Sequence, residues 1–235
     1  MVLWNIDLTL VDVTRVMREA YAEAFGRVTG RPLVKLPQMA GRSESEIFFE
    51  ALALNGVDVS DSGPADTLLA PLQSELATVL ADRRGLLAQQ GQALPGAAAA
   101  LAAVARLDGV VQTVLTGSSK PNALLKLSCF GLDRFLDLHV GGYGGEPYPK
   151  GALLRVAKMR AEEKYGASYG ENRCVYIADS ARDAEAARNG GARCIAVASG
   201  RATAAELRAA GADAVLAGLS DTAEVAGTVE RLTSG

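Results

Sequence analysis

The chain begins Met1-Val-Leu-Trp-Asn5-Ile-Asp7-Leu-Thr9-Leu-Val-Asp12, a short apolar strand that runs into a polar turn. Because side chains alternate across a strand, Asn5, Asp7 and Thr9 leave on one side. In open parallel sheets, active sites form at the carboxyl ends of strands. The segment therefore predicts the start of an active site on a first strand.

The pattern after residue 95 predicts an α/β fold. Apolar strand-like runs alternate with helical ones, which is typical of a doubly wound, Rossmann-like parallel sheet with helices on both faces. The alternating segments are 110–115, 121–130, 137–140, 151–164, 174–178, 181–189, 194–198, 202–210, 214–216 and 222–232.

Residues 13–92 contain no β-rich run of this kind. The segments 15–28, 44–54 and 67–90 all carry helical apolar spacing, and Gly91-Gln-Ala-Leu-Pro95-Gly96 has the Gly and Pro of a connecting segment. We therefore predict a core domain of residues 1–12 and 96–235 and an all-helical cap domain of residues 13–95, with a hinge at the two crossings.

Composition excludes several classes of protein. The 235 residues are 49% hydrophobic with a formal net charge of −3, which fits a globular domain and gives no reason to expect nucleic acid as a partner. The three cysteines, Cys129, Cys174 and Cys194, are widely spaced, and two of them lie in apolar strand-like runs that predict buried thiols, which fits a reducing compartment. No targeting or membrane-spanning pattern is evident, so the expected location is the cytoplasm.

Three further segments carry candidate chemistry. Thr116 ends an apolar strand and precedes Gly117, where hydroxyl and amide groups can bind phosphate oxygens, although an ordinary turn explains the same residues. Lys150 follows Glu146-Pro-Tyr-Pro149 at a helix start, where a cation can neutralise a phosphoryl group or simply lie in solvent. Lys120 is the reserve candidate.

The third segment is Cys-Val-Tyr-Ile-Ala-Asp179-Ser-Ala-Arg-Asp183, a strand followed by two carboxylates four residues apart. Like charges at this helical spacing repel unless a cation or hydrogen bonds compensate them. Mg²⁺ prefers oxygen ligands and needs only one or two protein carboxylates. A helix N-cap with a second acid near the helix dipole is the alternative.

In this order, the four segments resemble the motifs of haloacid dehalogenase-like (HAD) phosphohydrolases, over essentially the whole chain. With the helical insertion, the resemblance is to the helical-cap phosphatase branch, similar to phosphoglycolate phosphatase. Three departures stand out. Asn5 replaces the first Asp of Asp-x-Asp-Gly-Thr-Leu, Leu8 replaces its Gly, and Glu146 stands where many members have the motif lysine.

The resemblance implies Mg²⁺ as cofactor and a role for each matching residue. Asp7 is the acid/base and a metal ligand through its carbonyl, Asp179 is a metal ligand and Asp183 supports that site. Thr116, Gly117 and Lys150 hold phosphate. Asn5 occupies the position of nucleophile and first metal ligand.

An amide at position 5 cannot form the aspartyl-phosphate. The expected function is a Mg²⁺-dependent phosphomonoesterase acting on a small organic phosphate, inactivated here by an Asp-to-Asn change. Because the other catalytic positions keep suitable residues, we favour an active phosphatase whose nucleophile was deliberately changed from Asp to Asn. The alternative is a natural pseudoenzyme that binds a phosphorylated ligand without turnover. A 2-haloacid dehalogenase is the third reading, which Asp7, Asp179 and Asp183 argue against because dehalogenation needs neither a metal nor a proton donor.

The remaining candidates concern the substrate, which we expect to be a small phosphorylated metabolite bound by a monomer or homodimer. Arg42, in the loop Gln38-Met-Ala-Gly41-Arg42-Ser43, resembles a substrate-facing cap residue. Near the hinge, Arg15, Arg18 and Glu19 either face the leaving group or are exposed helix charges. His139, the single histidine, lies outside the motifs, so a histidine-based site is excluded.

Overall fold

The computed structural model describes residues 1–59, 65–145 and 149–234. Within them the strands are β1 (Val2–Trp4), β2 (Val11–Asp12), β3 (Gln92–Ala93), β4 (Gln112–Thr116), β5 (Gly142–Tyr143), β6 (Val175–Ala178), β7 (Arg193–Val197) and β8 (Ala214–Leu216). The main sheet has the order β5-β4-β1-β6-β7-β8, and each of its strand pairs is parallel. The predicted α/β class with a Rossmann-like parallel sheet is confirmed.

The helices are α1 (Thr14–Thr29), α2 (Glu44–Leu54), α3 (Ala65–Asp82), α4 (Arg84–Gln90), α5 (Ala97–Val104), α6 (Lys120–Cys129), α7 (Lys150–Tyr165), α8 (Ala181–Gly190), α9 (Ala204–Ala209) and α10 (Thr222–Thr233). Helix α2 has the bounds that the sequence predicts, and its Ser43 and Glu46 form a reciprocal capping box. None of the helices in the described part of the chain combines the length and hydrophobicity that a bilayer crossing requires.

Alternation along the strands divides the core into two layers. Val2 and Trp4 of β1 pack with the layer that includes α5 and α10, whereas Leu3 between them packs with α7 and α8. The side chains of β6 alternate in the same way, so Ile177 packs with the first layer and Tyr176 with the second. Helices consequently cover both faces of the sheet, as its near-continuous apolar strands predict.

Helices α1 to α4 are the inserted helices, which lie between the antiparallel pair β2 and β3. The pair brings Val11 opposite Ala93, so the chain leaves and re-enters the main fold at one place. Helix α1 packs on α3, and the edge of the Tyr21 ring meets Phe48 of α2 with ring centroids 5.0 Å apart. The inserted helices pack on one another, and their buried side chains share one hydrophobic cluster with one face of the main sheet.

The structure differs from the predicted strand at residues 137–140. The edge strand β5 comes later, where Leu115 pairs with Gly142 and Thr116 with Tyr143. The Asp137 carboxylate accepts a hydrogen bond from the backbone N–H of His139. This local side-chain bond favours a turn over a strand.

Candidate active site

Asn5 is buried directly after β1 and lies at the centre of a polar cluster. Its Nδ2 donates to the Asp7 carbonyl oxygen at 3.0 Å and to Asp179 Oδ1 at 2.9 Å. Its Oδ1 accepts from Lys150 Nζ at 3.3 Å. Since the ammonium group can only donate, these contacts fix which end of the amide faces Asp179.

The turn after Asn5 has a left-handed residue, Leu8, with φ of 59°. Leu8 donates its N–H to the Val11 carbonyl at 2.8 Å, and its own carbonyl accepts from Ser199 Oγ at 2.7 Å. Thr9, fully buried in the same turn, donates to Asp179 Oδ1 at 2.9 Å. The turn is therefore anchored on the segments that follow β6 and β7.

Asp179 follows β6 and is almost completely buried. Burial, and then the nearby negative charge of Asp183, raise the pKa of Asp179 to about 7, against the hydrogen bonds from Thr9 and Asn5. Gly200 also approaches closely, because a Cβ at that position would lie 2.2 Å from Asp179 Oδ2. A carboxylate in this setting is stabilised by a cation or by donors.

Asp183 lies in the first turn of α8 and is fully buried. Its Oδ1 is 2.5 Å from Lys150 Nζ and accepts from the Tyr176 hydroxyl at 2.9 Å, while Oδ2 accepts from Ser180 Oγ at 2.5 Å. Asp183 thus holds Lys150, and Lys150 in turn reaches Asn5. Preceding Lys150, residues 146–148 of the segment Glu146-Pro-Tyr-Pro149 lie outside the described residues.

Thr116 and Gly117 lie at the end of β4, next to the first strand. The buried Thr116 Oγ1 accepts the Ser118 N–H at 3.1 Å. Gly117 is in backbone contact with the inserted helices: a Cβ there would lie 1.9 Å from the Arg42 carbonyl oxygen, and its own carbonyl accepts the Glu44 N–H at 2.8 Å. Only glycine permits this approach.

We call residues 38–43 the docking loop, because this loop brings the N-terminus of α2 to the carboxyl ends of the sheet strands. At Gly41, where φ is +70°, a Cβ would lie 2.6 Å from Ser180 Oγ and 2.7 Å from Arg182 Cβ. Ser45 Oγ, in the first turn of α2, donates to the Gly144 carbonyl at 3.3 Å. The inserted helices are therefore seated against loops that follow β4, β5 and β6.

The observed contacts of the other candidate residues do not involve Asn5. The guanidinium of Arg42 pairs with Glu50 of α2. Lys120 is exposed, with its ammonium group 5.6 Å from the Tyr143 ring centroid. Arg15, Arg18 and Glu19 line a surface cleft of about 450 Å³ beside Asp12 and Gln92 of the β2–β3 pair. His139 is exposed in the loop before β5.

The sequence did not single out Lys126 as a contact of Asp7. Lys126 Nζ lies 2.8 Å from both Asp7 carboxylate oxygens and 2.9 Å from Ser118 Oγ, and the side chain is only 1% exposed. One signal was available: Ala123, Lys126, Leu127 and Phe130 follow the spacing of one helix face, so the lysine falls on an apolar stripe. A lysine on such a stripe needs a buried partner.

Glu44 is a second buried group that the sequence did not single out. It is 1% exposed at the start of α2, and its Oε1 accepts from Asn122 Nδ2 at 2.9 Å. Its Oε2 has no hydrogen-bond partner among the described residues. Burial raises the pKa of Glu44, and the charge of Lys126 acts in the opposite direction.

The oxygen atoms around Asn5 are the candidate ligands for Mg²⁺ in this site. The Asp7 carbonyl and Asp179 Oδ1 are two hard oxygen donors, but Asn5 presents Nδ2 between them and Lys150 holds the amide oxygen on the other side. Among the described residues, no three His, Cys, Asp or Glu side chains are grouped so as to hold a metal ion. With this orientation of the Asn5 amide the site does not present three oxygen atoms to a Mg²⁺ ion, whereas aspartate at position 5 would supply the third oxygen.

Comparison of the fold with solved structures finds several relatives of similar length. A hydrolase from Pseudomonas syringae is 22% identical, with a TM-score of 0.66 and coverage of 97% of this chain and 98% of that chain. A predicted phosphatase from Clostridium acetobutylicum is 17% identical, with a TM-score of 0.71 and coverage of 98% and 97%. In both cases the similarity extends over nearly the whole of each chain.

A third relative is an Asp-to-Asn mutant of CbbY from Rhodobacter sphaeroides, in complex with xylulose-1,5-bisphosphate. It is 20% identical, with a TM-score of 0.64 and coverage of 94% of each chain. A comparison with curated protein sequences finds no match. Residues 2–188 match the sequence profile described as haloacid dehalogenase-like hydrolase. The chain therefore belongs to the haloacid dehalogenase-like hydrolase family.

Proposed function

We propose that this chain carries the site of a phosphomonoesterase that hydrolyses a small organic phosphate through an aspartyl-phosphate when position 5 is aspartate. With Asn5, the site binds the phosphate ester and does not turn it over. The observation that carries the proposal is the position of Asn5, buried after β1 between Lys150 and Asp179. A carboxylate at this point would have a cation on one side to balance a phosphoryl group.

Each proposed step uses a residue of this site. Lys150 offsets the charge of the phosphoryl group, and Thr116 and Gly117 hold its oxygens at the end of β4. Asp7 gives a proton to the leaving alcohol and later takes one from water. Its side chain is 41% exposed, so a ligand has access to it. In the Asn5→Asp variant, Mg²⁺ would supply positive charge next to Asp179 and the Asp7 carbonyl.

The inserted helices have the role of a cap in this proposal. Residues 13–95 form the cap domain and residues 1–12 and 96–235 the core domain, with the β2–β3 pair as their junction. The docking loop closes over the site, and cap closure would exclude water from the phosphoryl step. The contact of Gly117 with the Arg42 carbonyl supports a closed position.

A natural binding protein is the second candidate, and the contacts of Asn5 favour it. The amide donates to two oxygens and accepts from Lys150, so the site accommodates asparagine without a buried unpaired group. The CbbY relative, an Asp-to-Asn mutant in complex with a bisphosphate, is a precedent in this fold for a ligand retained in such a variant. The two candidates differ in what position 5 carries in the functional protein.

Hydrolysis of p-nitrophenyl phosphate with Mg²⁺ tests the proposal in three proteins: the chain with Asn5, Asn5→Asp, and Asn5→Asp with Asp7→Asn. We expect turnover to appear in the single variant and to be lost in the double variant, because hydrolysis of the aspartyl-phosphate, a step common to all esters, then lacks Asp7 as its base. No turnover by well-folded Asn5→Asp, with this ester and a panel of small phosphates, would refute the phosphatase.

Calorimetric titration of inorganic phosphate into the chain with Asn5 tests binding separately. Lys150→Met should abolish the heat of binding, because it removes the buried cation beside Asn5. Lys120→Met serves as the matched control, since Lys120 is exposed near Tyr143. Equal losses in both variants would argue that binding depends on general surface charge.

A further inference from the structure

Lys126 of α6 is a buried cation in contact with the site. Its ammonium group meets both Asp7 carboxylate oxygens at 2.8 Å and Ser118 Oγ at 2.9 Å. Ser118 Oγ also lies 3.3 Å from Asp7 Oδ2 and donates to it. The Asp7 carboxylate is therefore bound on one side by a lysine and a hydroxyl, while 41% of its side chain remains exposed.

The surroundings of Lys126 hold it rigidly. Ala123 and Leu127, on the same side of α6, are fully buried in the core. Asn122, one turn earlier, bonds Glu44 of α2. A buried lysine is strongly destabilising unless it is paired. The position of Lys126 therefore depends on Asp7, and the side-chain conformation of Asp7 depends on Lys126.

The two ends of Asp7 face different partners. Its carbonyl oxygen lies toward Asn5, and its carboxylate lies toward Lys126 and Ser118. An acid that must meet a leaving oxygen gains rate from being held in one orientation. The hydrogen bonds from Lys126 and Ser118 hold the Asp7 carboxylate in such an orientation.

We propose that Lys126 is a positioning residue that holds the Asp7 carboxyl group toward the leaving oxygen, and that Ser118 assists it. The inference rests on the proposed phosphatase function. In the Asn5→Asp enzyme, a bond forms between the position-5 carboxylate oxygen and phosphorus as the ester P–O bond breaks. The electron pair of that bond stays on the leaving oxygen, which receives the proton from Asp7.

The leaving group provides a direct readout of this role. An alkoxide is a poor leaving group without a proton, whereas p-nitrophenolate leaves readily as an anion. General acid catalysis contributes about 10²–10⁴-fold where it is needed. Loss of Asp7 positioning should therefore slow an alkyl ester much more than an aryl ester.

The experiment compares kcat and KM for β-glycerophosphate and p-nitrophenyl phosphate in the Asn5→Asp background. We expect Lys126→Met to lower kcat/KM, which reports the steps through departure of the leaving group, about 10²-fold or more for β-glycerophosphate and far less for p-nitrophenyl phosphate. Lys126→Arg should restore part of the loss, because it keeps a cation beside Asp7. Lys158→Met is the control, since Lys158 donates to the Gly191 carbonyl away from Asp7.

Equal losses of kcat/KM with both esters would assign Lys126 a structural role and overturn the inference while leaving the phosphatase intact. If Lys126→Met does not fold, Ser118→Ala decides: a selective loss with β-glycerophosphate supports the inference, and an equal or absent effect contradicts it. If Asn5→Asp turns over neither ester, the proposed function fails and the inference falls with it.

Discussion

Replacing Asn5 by aspartate is expected to destabilise the folded chain when no divalent cation is present. The change exchanges a nitrogen that donates two hydrogen bonds for an oxygen that only accepts, facing Asp179 Oδ1 at 2.9 Å and the Asp7 carbonyl at 3.0 Å. At an effective dielectric constant of about 20, repulsion from Asp179 is about 6 kcal/mol and attraction to Lys150 at 3.3 Å is about 5 kcal/mol. These two effects nearly cancel.

The loss of two buried hydrogen bonds then dominates. At about 1–3 kcal/mol for each of the two groups left facing another acceptor, the free energy of unfolding should fall by about 2–6 kcal/mol. Because the pKa of Asp179 is raised to about 7, a shared proton relieves part of the repulsion. Mg²⁺ at about 100 times its Kd should return about 2.7 kcal/mol, since it would bind only the folded variant.

Urea unfolding with EDTA and with MgCl₂ measures both effects. Asn172→Asp is a matched control, because Asn172 is exposed and its side-chain oxygen accepts from Arg193. The reasoning is refuted if Asn5→Asp is as stable in EDTA as the chain with Asn5. It is also refuted if Mg²⁺ stabilises both chains equally.

Three further substitutions have expected outcomes. Burial raises the pKa of Glu44, so the native state binds this proton more tightly than the unfolded chain does. The free energy of unfolding should therefore decline as pH rises above the ordinary glutamate range. Glu44→Gln should flatten that decline, which urea unfolding at several pH values measures. Gly117→Ala should displace the docking loop and expose it to limited proteolysis because its Cβ meets the Arg42 carbonyl, whereas Gly85→Ala has open space; equal cleavage of both would contradict this. Phe48→Ala should lower the free energy of unfolding by about 3–5 kcal/mol, and a loss below about 1 kcal/mol in urea unfolding would contradict tight packing at this buried ring.

Much of the sheet could be predicted from the sequence because its strands are short, apolar and bounded by turns. Asn5 and Asp179 follow β1 and β6, Thr116 ends β4, and these adjacent parallel strands place the three residues at the same end of the sheet. Their convergence follows from local patterns together with one general rule of topology. Their catalytic roles stay predictions.

Other features depend on long-range packing. The segment 67–90 carries helical spacing, and the structure divides it, because α3 ends at Asp82 and α4 begins at Arg84. Arg83 lies between them and pairs with Glu19 and Glu23 of α1, which are distant in sequence. The contacts of Lys126 and Glu44 likewise form only when α2 and α6 are seated beside β1 and β4.

The left-handed conformation of Leu8 bears on how freely this position can change. A leucine at this φ costs about 1–2 kcal/mol in the folded state, whereas glycine adopts it without strain and costs about 0.4–1 kcal/mol through the greater entropy of the unfolded chain. Replacing Leu8 by glycine should therefore change the free energy of unfolding by only about 1 kcal/mol. Exchange between asparagine and aspartate at position 5 instead changes the charge beside Asp179 and Lys150, so the two departures in this turn have very different consequences for the site.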